Sequence, residues 1–160
     1  MKKTLYFLTA LLVAFPGWAN MQNNELDYAS TKDIRDINPH LYSGEMAAQN
    51  MVFEPLVLNT EFGPQPHLAE SWSISPDGKT YIFKLRTDVT FRDGEPFNAQ
   101  AVKLNIDAVL DNYTRHGWLE LVQQIDSVRV IDDYTIELKL KNAYYPTLTE
   151  LSFTRPFRFI

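Results

Sequence analysis

Cysteine is absent from all 160 residues. That excludes a disulfide framework and a lipid attached at a lipoprotein-type cysteine, so stability must come from a packed core. Long apolar runs are missing too: residues 5–15 form an apolar stretch, but one too short to cross a bilayer. A basic excess is lacking, with 15 Lys and Arg against 20 Asp and Glu and a formal charge of −5. Nucleic acid and anionic lipid are disfavoured by that balance, because counterion release needs a basic patch. Catalytic signatures are also missing. The chain holds no G-x-S-x-G, P-loop or Rossmann glycine fingerprint and no nucleophile–base spacing, so its residues point to no enzyme. His40, His67 and His116 are scattered, with no H-x-x-x-H or H-E-x-x-H pairing. Each reads as an ordinary surface or partly buried histidine rather than a metal ligand. The acidic pair Asp132-Asp133 sits where a hairpin turn wants it and reads as a turn former.

What is present begins with an export signal. Lys2 and Lys3 form a positive n-region, the short apolar run follows, and Gly17-Trp18-Ala19 places small residues at −3 and −1 of a cleavage site. The expectation is a cleaved signal peptide over residues 1–19. The mature chain, residues 20–160, then carries a charge of about −7, which mildly favours steering a cation but identifies no site. Its length suffices for one core, and the 160 residues are 13% aromatic.

Along that chain the pattern is of short strands, turns and helices. "ELDYASTKDI" leans toward strand, and Asn38-Pro39 forces an extended or turn geometry. "GEMAAQNMVF" favours a helix that Pro55 ends near Phe53. "GPQPHLAESW" reads as a proline-punctuated loop. Trp72/Ile74 and Tyr81/Phe83/Leu85 alternate about Asp77-Gly78, a strong hairpin signal, with Trp72 and Tyr81 assigned to the core. Asp93-Gly94 marks a further turn. Asn98 caps a helix whose apolar face is Val102, Ile106, Val109 and Leu110. A second amphipathic helix is expected from about Gly117 to Ile125. "SVRVIDDYTIELKL" is a hairpin with Ile136, Leu138 and Leu140 facing one way. "NAYYPTLTELSF" reads as a helix with Asn142 near its cap and Pro146 in its first turn. Trp118 follows Arg115-His116-Gly117 at the start of a helix, and its residues alone leave a ligand-facing corner and simple packing equally open. The class is α/β with mainly antiparallel hairpins.

The ordered series "LAESW", "DGKTYIFKLR" and "DGEPFNA" within residues 66–102 resembles the signature segment of family 5 extracellular solute-binding proteins. "INPHLYSGEMAAQNMVFEPLV", "AVLDNYTRHGWLELVQQI" and "NAYYPTLTELSFTRPFRFI" resemble the nickel-binding members of that family. The resemblance runs from about Asn38 onward. It implies a periplasmic binding protein-like α/β fold of the cluster with an extra subdomain, a mixed sheet with antiparallel hairpins and helices. It also implies a two-lobed, hinge-closing receptor much longer than this chain, which would supply only part of lobe I, the first strands plus the inserted subdomain, and be truncated at its C-terminus.

The function so implied is capture, in the periplasm, of nickel as a small chelate with histidine or a polycarboxylate, for an ABC importer. Its partners would be the permease subunits in the inner membrane, with no nucleic acid, and the receptor a monomer. Arg155, before Pro-Phe-Arg-Phe-Ile, corresponds to the arginine that contacts the chelator's carboxylate. Trp118 corresponds to the tryptophan packed on the chelate, with Arg115, Met46 and Tyr42 nearby. The loop between Tyr42 and Met46 is one residue shorter than the family pattern. The direct metal ligand is expected beyond Ile160, and Arg158 is expected to be a structural partner. Alternatives within this reading are a family receptor for peptides or haem, and a truncated product without a transport function.

Overall fold

Strands at the centre of the fold follow from the period-two alternation of two segments. The computed structural model describes Ile34, residues 37–41 and residues 46–159, all within the unit Lys32–Ile160. The expected signal peptide, the segment "ELDYASTKDI" as a strand, and Tyr42 lie outside the described residues. Strands β3 (Ala69–Ile74) and β4 (Thr80–Leu85) form the expected hairpin, with Trp72 opposite Phe83 and Ile74 opposite Tyr81. Its turn is held by the Asp77 carboxylate, which accepts from the Lys79 N–H at 3.1 Å. Gly78 there takes φ +69°, a left-handed value that favours glycine.

Strands β5 (Ile125–Asp132) and β6 (Thr135–Leu140) form the second hairpin, and β4 pairs with β6 to give an antiparallel sheet in the order β3-β4-β6-β5. Register places Tyr81 opposite Leu138 and Phe83 opposite Ile136, so the buried residues of both central strands share one face. Tyr81 is buried there as expected, whereas Trp72 packs against the core only partly buried. Helix α2 (Ala99–Asp111) packs on β5 and β6 and buries Val102, Ile106 and Val109. Asn98 caps it, its side-chain oxygen accepting from the Ala101 N–H at 2.9 Å. Phe97 and Phe157, both fully buried, complete this core. Burying each such ring is worth about 1.5–3 kcal/mol.

Helix α1 (Met46–Val52) ends before Pro55 as expected. The expected proline-punctuated loop is a correction. Gly63–Pro66 forms β2, which pairs with β1 (Val57–Thr60) in a separate two-stranded sheet, and Ala69 begins β3. Proline is tolerated here because a two-stranded ribbon has only edges, where a missing N–H breaks no inner ladder.

The helix expected from Gly117 to Ile125 is also corrected. The chain forms α3 (Tyr113–His116), an extended Leu119, and then α4 (Glu120–Gln124). Two contacts override the periodicity. A side chain at Gly117 would meet the Tyr113 carbonyl oxygen at 2.9 Å, so glycine is needed for a close turn. Glu150 then accepts from the Leu121 N–H at 2.8 Å and caps α4 from a distant segment. The last helix, α5 (Thr147–Leu151), has Pro146 as its N-cap. Asn142 is not its cap: its amide donates to Gln124 Oε1 at 3.3 Å instead. None of the helices among the described residues is long and apolar enough to cross a membrane.

Candidate functional site

A cavity of about 740 Å³ opens beside the C-terminus of α1. Four pieces of chain line it: Met46 and Asn50 of α1 with Phe53, Glu54 and Pro55 after it; Leu58 and Asn59 of β1 with His67; Trp118; and Ser152, Phe153, Thr154, Arg155 and Arg158. Three expected site residues therefore line one cavity: Met46, Trp118 and Arg155. Met46 is 54% exposed and Trp118 60%, so both are available to a ligand. Arg115 is exposed and lies outside the lining, donating from a terminal nitrogen to the Leu41 carbonyl at 3.1 Å.

The segment carrying Arg155 and Arg158 is built into the core rather than trailing from it. Phe157 and Phe159 are buried on either side of Arg158, and the Phe159 ring meets Phe97 edge-on at 6.4 Å. The Arg155-Pro156 peptide is cis. Buried Gln49 accepts from Arg155 Nε at 2.6 Å and so aims the guanidinium. Arg158 is nearly buried, and its bonds explain how a charge is tolerated there. Its guanidinium donates to Asn50 Oδ1 at 2.6 Å and to the carbonyls of Phe53, Phe153 and Ser152. Burial lowers its pKa from the usual arginine value, partly opposed by the field of Glu54. Arg158 is thus a structural partner, although its side chain reaches the cavity surface.

Residue types and spacing did not reveal Gln49 and Asn50 as anchors, because neither amide belongs to a chemical motif. Glu54 and His67 were missed too. His67 Nε2 lies 2.6 Å from Glu54 Oε2. The sequence carries no signal for this pair, because it depends on the β1–β2 ribbon: extending its register, in which Val57 faces Pro66, brings residues 54–56 beside residues 67–69. Backbone bonds hold both there, Ala69 N–H to the Leu56 carbonyl and Phe159 N–H to the Glu54 carbonyl, each at 2.9 Å.

Of the three histidines, His40 and His67 are partly buried as expected, and only His116 departs from the reading. His116 is fully buried and meets His40 edge-on at 5.7 Å. Burial, then the nearby His40 and Arg115, pushes the His116 pKa down to about 4. His40 is lowered also, chiefly by burial. Among the described residues no group of three or more His, Asp or Glu side chains is placed to hold a metal. The cavity thus offers a guanidinium, an indole, a thioether and one carboxylate–imidazole pair. Such a set binds a shaped anion or zwitterion better than a bare ion.

Residues 63–159 match bacterial extracellular solute-binding proteins, family 5 Middle. The nickel-binding periplasmic protein of Escherichia coli (strain K12) is 50% identical over 139 residues, which is 86% of this chain and 26% of that protein. A glutathione-binding protein, GsiB of Pectobacterium atrosepticum, is 39% identical over 85 residues, 53% of this chain and 16% of its own length. The crystal structure of NikA from Brucella suis in complex with Fe(III)-EDTA superposes with a TM-score of 0.77 at 56% identity, over 80% of this chain and 26% of that one. The chain therefore spans about a quarter of the length of the first of these relatives.

Proposed function

The chain belongs to the family 5 bacterial extracellular solute-binding proteins, and from that premise we propose that it forms one wall of a periplasmic receptor for chelated nickel. The observation that carries the reading is the one cavity shared by Met46, Trp118 and Arg155, of which Met46 and Arg155 lie 109 positions apart in the chain. The 50% identity to a nickel-binding periplasmic protein supports nickel within the family.

The roles follow from the side chains. Arg155, oriented by Gln49, faces a carboxylate of the chelator; a planar guanidinium matches a carboxylate, and each charge-assisted bond contributes about 1.5–3 kcal/mol. The Trp118 indole and the Met46 thioether pack on the flat, less polar parts of the chelate. Capture as a chelate rather than a bare ion suits nickel, since nitrogen and oxygen donors alone bind copper more tightly. Export by a cleaved signal peptide and delivery to ABC permease subunits complete the proposal, with histidine or a polycarboxylate as the chelator.

Trp118 makes the test direct. Nickel added with histidine, or with a polycarboxylate, is expected to quench tryptophan fluorescence. Arg155→Ala should weaken that response by roughly ten- to a hundred-fold, the equivalent of one charge-assisted bond. Absence of any nickel-dependent quenching overturns the reading. The glutathione-binding relative makes a tripeptide the second reading, and a tripeptide that displaces the nickel chelate at lower concentration would put it first.

A further inference from the structure

Glu54 stands apart from the other charged groups of the cavity. Its side chain is 44% exposed, and among the described residues its carboxylate bonds only to His67. Two guanidinium groups lie close enough for its field to raise their pKa, Arg86 and Arg158. Neither donates to it. Arg86 pairs with Asp88 through two bonds of 2.9 Å, and Arg158 bonds to Asn50 and to backbone carbonyls. A carboxylate has about four acceptor positions, and the imidazole takes one.

The backbone of Glu54 is fixed through the Phe159 N–H, and that of His67 through its own N–H to the Ala69 carbonyl at 3.0 Å. His67 thus positions the carboxylate on a cavity wall distinct from the segment that carries Arg155. A cavity with an arginine on one wall and an anchored carboxylate on another is suited to a ligand that carries both a carboxylate and an N–H group. A ligand of carboxylates alone would cover Glu54 and leave it facing like charge.

We propose that Glu54, positioned by His67, is an acceptor subsite for an N–H of the chelator, so that the cavity selects amine-bearing chelators over all-carboxylate ones. The proposal rests on the reading of this cavity as a chelate site. It names the class of chelator: an amino acid or an iminodicarboxylate, with the N–H left on the nitrogen when it coordinates.

Two probes isolate that N–H. Nickel iminodiacetate and nickel N-methyliminodiacetate have the same charge and the same donor atoms, and differ in the N–H. Titrated into the full chain, the first is expected to bind about ten-fold more tightly, the worth of one hydrogen bond to a charged acceptor. Glu54→Gln keeps the side chain's shape but replaces the charged acceptor by a neutral one, and should bring that ratio down toward one when both chelates are titrated into the same variant. His67→Ala should lower the ratio partway, through loss of carboxylate positioning. Equal binding of the two chelates by the unsubstituted chain overturns the subsite and leaves the receptor reading standing. A preference undiminished in Glu54→Gln would be steric and also overturns the subsite. Binding of neither chelate overturns the subsite and the receptor reading together.

Discussion

Mild acid should destabilise this chain through His116. The imidazole has no exposed surface, and its pKa of about 4 in the fold compares with about 6.5 in an unfolded chain. Below about 6.5 the unfolded state binds a proton that the folded state refuses, so the stability present above that value is lost as pH falls toward about 4. The full difference, two and a half pKa units, has a ceiling of about 3 kcal/mol. Between about pH 7 and about pH 5 the loss comes to about 2 kcal/mol. His40 adds to it with the same sign, since burial lowers that imidazole also. Urea midpoints measured across this range provide the assay. With a slope of about 1–3 kcal/mol per molar, the midpoint should fall by roughly 1 M. His116→Phe keeps an aromatic ring against His40 and removes the proton, so it should flatten most of the pH dependence. Parallel acid loss in the two proteins would refute the assignment to His116.

Two further outcomes test the scaffold around the site. Asn98→Ala removes the cap of α2 and should cost about 1 kcal/mol, measured by thermal or urea unfolding. Glu150→Ala removes a buried carboxylate that accepts from the Leu121 N–H and the Tyr144 hydroxyl, and should cost about 1–3 kcal/mol. The same variant is readable spectroscopically: burial and the bond to Glu150 push Tyr144 up to about 12, and its ultraviolet titration should move down toward the usual value.

Local chemistry and the final structure agree wherever one strand or helix decides its own geometry. The Asp77-Gly78 hairpin, the Asn98 cap and the apolar face of α2 depend on residues within a few positions, and each was legible. Disagreement begins where a distant residue intervenes. The helix expected from Gly117 was broken by the close approach to Tyr113 and by a cap from Glu150, which is 29 positions from Leu121. Pro64 and Pro66 suggested a loop because their own strand partner, β1, was not visible as such. For the site, family resemblance carried Met46, Trp118 and Arg155, and all three line the cavity. Physical chemistry of the residues in order could not have found Gln49, whose role exists only because Arg155 arrives beside it from 106 positions away.

That last separation bears on the order in which the chain can assemble. The sheet β3-β4-β6-β5 is two hairpins joined by the β4–β6 pairing, and it needs only contacts between residues 69 and 140. The cavity wall instead requires α1 to meet residues 155–159, through the bonds from Arg155 to Gln49, Arg158 to Asn50 and Phe159 to Glu54. Closing that loop costs more entropy than closing the shorter β4–β6 one, though the cost rises only logarithmically with length. Synthesis proceeds from the N-terminus, so α1 waits for its partners until residues 155–159 have been made. The sheet is therefore expected to gain protection from hydrogen exchange before α1 does, and the pocket becomes the last part of this unit to exist.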